Sequence, residues 1–184
     1  FCVGCSSMRD QQVDAMKSMV NAFSDYAKPS RLETQPLEFD SLVAEVMSLY
    51  EASGQHDAIT LSLNATDEKV EADPVRLRQV IHNLVKNALE AVHDKSNAEI
   101  ILRTELQGHD DTAAVVLEVM DNGHGFDEET LSKVFEPYVT TKTKGTGLGL
   151  AVVKKIIEEH GGMIAASNRA EGGAHLLVRL PLTE

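Results

Sequence analysis

Gly145-Thr146-Gly147-Leu148-Gly149-Leu150 opens without a break into the apolar-periodic stretch Ala151 to His160, which Gly161-Gly162 ends. Glycines feeding a helix N-terminus leave backbone N–H groups free and place the positive end of the helix dipole beside them, a ready anion site. The spacing excludes two familiar phosphate loops. No Gly-Lys-Ser/Thr follows, as a Walker A loop needs. The order is G-x-G-x-G with no strand leading in, which does not fit the dinucleotide fingerprint. Thr140, Thr141, Lys142 and Lys144 lie just upstream. They put hydroxyls and cations on a glycine-bounded loop suited to closing over phosphates.

Two elements further upstream complete a constellation. Asp121-Asn122-Gly123-His124-Gly125-Phe126 follows a strand-like run, Val115 to Met120. Its glycines let backbone approach a flat ligand while the carboxylate accepts a hydrogen bond, for which an exocyclic adenine amine is a natural donor. Taken alone it is a plain turn motif. Before it, Asp73-Pro74 reads as N-cap and first residue of a helix reaching about Val92. Leu77, Ile81, Leu84, Ala88, Ala91 and Val92 form its apolar stripe, with Asn83 and Asn87 together at the margin. Asn is a poor helix former, so the pair suggests either a pocket or two amides satisfied by nearby backbone. A carboxamide oxygen suits Mg²⁺, which takes its remaining ligands from water and substrate phosphates.

The flanking pattern supplies the fold class. Phe39 to Ser53 reads as a helix stopped at Gly54, and Ile59–Leu63 as a strand by alternation, with a short strand possible at Val70–Ala72. Ile100–Leu106 and Val115–Met120 read as a hairpin, Asp127–Val134 as a short helix, and Met163–Ser167 and His175–Leu180 as two closing strands. Helices and a mixed, largely antiparallel sheet sharing one core predict an α+β two-layer sandwich. Ahead of it, Val13, Met16, Val20, Phe23 and Ala27 make a 3-4-3-4 seam, half of a helical hairpin whose partner helix is not in the sequence; Pro29 stops it, and Ser30 to Pro36 reads as a polar linker.

The 184 residues fit one domain with an appendage; 17 Lys+Arg against 29 Asp+Glu give a net charge of −12. That charge argues against a nucleic-acid partner. No apolar run nears the roughly 18 residues of a membrane span and no signal peptide opens the chain, so a soluble piece is expected. Cys2 and Cys5 form one C-x-x-C with no second ligand pair; reduced thiols and a cytoplasmic setting are the expectation.

Asn83-Leu-Val-Lys-Asn87-Ala88, Asp121-x-Gly123-x-Gly125, Phe135-Glu-Pro-Tyr138 and Gly145-Thr-Gly-Leu-Gly-Leu150 resemble, in order, the N, G1, F and G2 boxes of bacterial sensor histidine kinases. The likeness runs from about Phe39 to Leu182. It implies the ATP-binding sandwich shared with gyrase, Hsp90 and MutL. Those relatives carry a catalytic Glu where this chain has Asn83, which turns the expectation from ATP hydrolysis to phosphoryl transfer. Phe135 to Lys142, with the Met16–Ser30 helix, resembles nitrogen-regulation sensors of the NtrY/NtrB type.

By that resemblance, Asn87 would bind Mg²⁺ with Asn83 beside it, and Asp121 would receive the adenine amine. Gly123 and Gly125 would line the base, and Thr140 to Gly149 would form the lid and phosphate cradle, with Phe135, Tyr138 and Leu150 among the ATP-binding residues. Implied domains are an irregular segment 1–9, the second helix of a dimerisation and phosphotransfer hairpin over 10–30, and an ATP-binding catalytic domain over 37–184. The phosphoacceptor His of the family sits on the first hairpin helix, so it is expected from elsewhere. His56-Asp57 and His93-Asp94 mimic it, but neither is followed by Pro or lies on a bundle helix. The remaining histidines read as surface or turn residues, and His160 as a cation at a helix C-terminus. The implied partners are a response-regulator receiver domain and a second copy through the hairpin, with any membrane attachment through missing N-terminal segments of an inner-membrane parent. An ATP-gated binding module without kinase activity, either an anti-sigma-like switch or a degenerate kinase, is the rival reading.

Overall fold

The computed structural model describes residue 20 and residues 31–52, 57–65, 69–109, 112–142 and 145–182. The Cys2/Cys5 segment, His56, Lys144 and the Val13–Ala27 seam other than Val20 lie outside the described residues.

Three helices share one periodicity. Helix α1, Phe39–Ala52, buries Phe39, Leu42, Val43, Val46, Met47 and Tyr50; helix α2, Pro74–Ala91, buries Leu77, Val80, Ile81, Leu84, Val85 and Ala88. Both sets step i, i+3, i+4, i+7, i+8, i+11, a single apolar stripe. Helix α4, Gly149–Glu159, buries Ala151, Val152, Val153, Ile156 and Ile157. The short α3, Glu128–Ser132, is narrower than the expected 127–134 helix and buries none of its own residues.

The helices cover one face of a five-stranded sheet ordered β2 (Ile59–Asn64), β4 (Ile100–Gln107), β5 (Ala114–Asp121), β7 (Ala174–Pro181), β6 (Met163–Asn168). Strand β2 runs parallel to β4, and the other neighbours are antiparallel. This is the α+β two-layer sandwich expected. In register, Leu102 faces Val119 and Val119 faces Leu176, so Ile100, Leu102 and Thr104, Val115, Leu117 and Val119, and Leu176, Val178 and Leu180 form the inward rows. Asp121 continues the β5 row at period two, which turns its carboxylate toward the helix layer. On the opposite face Glu118 pairs with Arg103, and His175 Nε2 stands 3.0 Å from Glu118 without the alignment of a hydrogen bond.

One segment departs from expectation. The end of the Ser30–Pro36 linker belongs to a strand, β1 (Gln35–Glu38), paired antiparallel with β3 (Lys69–Ala72) in a separate ribbon. Pro36 and the exposed Gln35 and Glu38 hide it, because a two-stranded edge tolerates both. Buried polar bonds tie the layers together. Asp40 at the start of α1 accepts from Thr104 Oγ1 at 2.6 Å and from the Ala65 N–H at 2.9 Å, and Thr104 Oγ1 accepts from the Asn64 N–H.

Candidate nucleotide site

Helix α2 enters on a fixed footing. The Asp73 carboxylate accepts from the Val75 and Arg76 N–H groups at 3.0 and 3.2 Å and from the Glu33 N–H at 3.2 Å. Its own N–H donates to His160 Nε2 at 3.0 Å, while His160 Nδ1 lies 2.7 Å from the Ile156 carbonyl. An accepting Nε2 requires a neutral ring with its proton on Nδ1. His160 therefore clamps the end of α4 to the start of α2. That corrects the expectation of a cation serving the helix dipole: the ring works as an uncharged donor and acceptor.

From that clamp α2 carries Asn83 and Asn87 along a cavity of about 600 Å³, within the usual range for small-ligand sites. Neither amide is spent on the backbone of its own helix. Asn83 Nδ2 donates to the Gly149 carbonyl at 3.4 Å, and Asn87 Oδ1 accepts from Lys142 Nζ at 3.1 Å. Asp121, 4% exposed, lies on the cavity wall; its Oδ1 accepts from the Gly123 N–H at 2.7 Å and the Ala174 N–H at 3.2 Å. Two N–H bonds on one oxygen fix the carboxylate and leave it acceptor capacity.

The glycine-rich loop closes the circle. Gly147 has φ +67°, and a Cβ there would fall 2.5 Å from the Tyr138 carbonyl carbon, so the close approach of the two strands of this loop needs glycine. The Tyr138 N–H donates to the Gly147 carbonyl at 2.9 Å. No side chain caps α4, whose first N–H groups start beside Asn87; a Cβ on Gly149 would have only Asn87 Nδ2, at 3.9 Å, within reach. An uncapped N-terminus bordering a cavity fits phosphate. A side-chain ammonium already seated on Asn87 Oδ1 shows that oxygen turned to receive a cation, which fits Mg²⁺.

The cavity gathers Asn83, Asn87, Asp121, Gly125, Thr140, Thr141, Lys142, Gly145, Thr146, Gly147, Leu148, Gly149 and Leu150 from the expected set. It does not gather Gly123, Phe135 or Tyr138. Gly123 packs its α-carbon against the Ala91 carbonyl, where a Cβ would come within 2.7 Å. Phe135 packs on the core, and Tyr138 is exposed with φ +68°. Sequence reasoning missed Gln79, His82, Lys86 and Glu90, which line the same wall. Gln79 begins the i, i+4 row that Asn83 and Asn87 continue, and His82, Lys86 and Glu90 form the row beside it, so extending the pattern finds them. The Tyr50 hydroxyl lies 2.7 Å from His82 Nδ1, and burial pushes that phenol above its usual range, keeping it neutral beside the ring.

Comparisons with known proteins agree with this geometry. Residues 72–184 match the family described as histidine kinase-, DNA gyrase B- and HSP90-like ATPase. The sensor histidine kinase ZraS of Salmonella typhimurium is 33% identical over 174 residues, 94% of this chain and 36% of ZraS. A sensor histidine kinase described as NtrY-like from Rickettsia conorii is 32% identical over 92% of this chain and 28% of its own length. Histidine kinase ThkA, solved in complex with the response regulator protein TrrA, superposes with a TM-score of 0.74 at 32% identity, covering 94% of this chain and 48% of ThkA. The chain thus spans about a third of the length of the curated relatives it matches. No described helix is long and apolar enough to cross a membrane. With its N, G1 and G2 boxes on one cavity and its relatives among the sensor kinases, the chain belongs to the histidine kinase-, gyrase- and HSP90-like ATPase family, as the ATPase domain of a two-component sensor histidine kinase.

Proposed function

We propose that this chain binds Mg-ATP in the α2–α4 cavity and passes the γ-phosphoryl group to a histidine on a dimerisation hairpin, for relay to a response-regulator aspartate. The observation that carries this is the meeting of Asp121, Asn87 and the uncapped start of α4 on one cavity. Asp121 selects the base by accepting its amine. Asn87 holds the metal, which when bound neutralises phosphate charge. The α4 N–H groups, Thr140, Thr141 and Lys142 hold and orient the phosphates, so the contribution of the protein is positioning and charge stabilisation.

Asn83 gives its amide to the Gly149 carbonyl, and an amide offers no general base at that position. This supports transfer over hydrolysis. The acceptor histidine and its neighbouring acid come from the hairpin, not from His93. The parent protein is a homodimer through that hairpin, held at the inner membrane with this domain in the cytoplasm, and nitrogen regulation is the setting the NtrY-like relative supports.

Calorimetry tests the site. Asp121→Asn can keep an oxygen on the Gly123 and Ala174 N–H groups while offering donors to the adenine amine, and Asn87→Asp adds charge against the phosphates when metal is absent. Both variants should abolish ATP binding. Adding a separately made hairpin carrying the family's histidine should then produce acid-labile phosphate on that histidine with the native chain. Unchanged ATP affinity in both variants, or efficient self-labelling at His93, overturns the proposal.

A further inference from the structure

Glu90 lines the cavity wall but has no role in the nucleotide reading above, yet it touches Lys142, which does. Lys142 Nζ donates both to Asn87 Oδ1, at 3.1 Å, and to the Glu90 carboxylate. We infer that Glu90 is a positioning residue that parks Lys142 on the metal-binding amide until nucleotide arrives, so that phosphate must draw the same ammonium away from it. The inference rests on the nucleotide-binding reading.

Three features build it. First, the Lys142 backbone is held at both of its polar groups: its N–H donates to Thr140 Oγ1 at 3.1 Å and its carbonyl accepts from the Gly145 N–H at 3.1 Å. The side chain thus reaches α2 from a fixed origin. Second, the ammonium occupies the oxygen that a metal would take. Two cations on one carboxamide oxygen repel, so metal at Asn87 displaces Lys142. The displaced ammonium then has two anions to choose between, Glu90 and the phosphates. Third, Glu90 keeps a partner when Lys142 leaves, because Lys86 Nζ stands 4.0 Å away one turn back on α2. Departure of Lys142 therefore leaves no lone charge.

The strength is bounded by exposure. The Lys142 and Glu90 side chains are 34% and 41% exposed, where screened pairs shift equilibria by about two- to fivefold and no more. Glu90 therefore tunes nucleotide affinity and does not gate it.

A double-mutant cycle tests this by ADP calorimetry, with and without Mg²⁺, on the native chain, Glu90→Gln, Lys142→Met and the double variant. Glu90→Gln should tighten ADP binding by about two- to fivefold, and the gain should vanish in the Lys142→Met background. A gain of equal size in both backgrounds makes Glu90 a plain repelling charge. A loss confined to Mg²⁺ makes it part of the metal's shell, and no change makes the ion pair idle; each of these overturns the inference alone. Failure of all four proteins to bind ADP overturns the nucleotide reading and this inference with it. Thermal melts matching the native chain establish that the variants are folded.

Discussion

Helices α2 and α4 pack side by side, with the end of α4 clamped to the start of α2, and they begin in opposite ways. At α2 an acidic side chain consumes the first N–H groups: Asp73 serves Val75, Arg76 and Glu33 at once, and Pro74 removes one further donor. At α4 the residue before the helix is Leu148, wholly buried, with no side-chain bond to the helix start. The first N–H groups of each helix lack a helical partner, three at α2, where Pro74 has none, and four at α4. One set is satisfied from within and contributes to stability. Of the other, Thr146 Oγ1 takes the Leu148 N–H at 3.4 Å, and the rest are left for a ligand. The difference teaches how a single layer of helices divides its work: the capped end fixes the frame, and the open end is kept available at the cost of the stability a cap would add.

That comparison can be broken most directly at its capped end. Asp73→Ala should destabilise the chain by about 2 kcal/mol in urea melts, the upper part of the range for a lost cap, because three N–H groups lose their acceptor together. ADP affinity should stay within twofold. A parallel loss of affinity would show that the two ends are not separable, a coupling that the His160 clamp could transmit.

Gly149→Ala tests the open end. The added methyl meets only Asn87 Nδ2, at 3.9 Å, so the fold has room for it and the phosphate does not. Affinity for ADP should fall about tenfold, equivalent to about 1.4 kcal/mol, while the melting temperature holds or rises, since Ala favours helix over Gly. A stability loss with binding intact would reverse the assignment of roles.

The smallest effect lies at α3, capped like α2 but by an exposed residue, Asp127. Asp127 accepts from the Thr130 N–H at 2.7 Å and from its hydroxyl at 2.8 Å, and these bonds hold the carboxyl below its ordinary value of 3.8. A lowered folded value means the charged form is the stabilising one. The contribution is present above the unfolded value and fades as pH falls through the lowered folded value. The Thr130 amide resonance, followed in an acid titration, should move with a midpoint below 3.8; a midpoint at or above that would remove Asp127 from the comparison.

Much of the site is legible along the chain because its parts are local. Asp73-Pro74, Asn83 with Asn87, and the run Gly145 to Leu150 each announce their geometry within a turn or two of helix. Asp121 is legible for a related reason, lying on the inward row of β5. What stays hidden depends on distant partners. Gln35–Glu38 becomes a strand only because Lys69–Ala72 lies beside it. His160 reads as a helix-end cation until Asp73, far away in sequence, donates an N–H to it. Lys142 reads as a phosphate ligand, and nothing near it indicates that its ammonium rests between Asn87 and Glu90. Gly123 reads as lining the base, and nothing near it indicates that its α-carbon also packs against the Ala91 carbonyl.

The parallel pairing of β2 with β4 has a consequence for how the chain reaches its native state. Parallel neighbours cannot form as a hairpin; they need a crossover, and here the crossover is residues 65–99, which contain α2. Closing that long connection is the slow, entropically costly step in assembling such a sheet. The helix that carries Asn83 and Asn87 is therefore the strap by which β2 is brought to the sheet. A chain in which β2 has joined β4 has already laid α2 across it, so amide exchange in β2 and α2 should open together, and the nucleotide wall is built during folding and not after it.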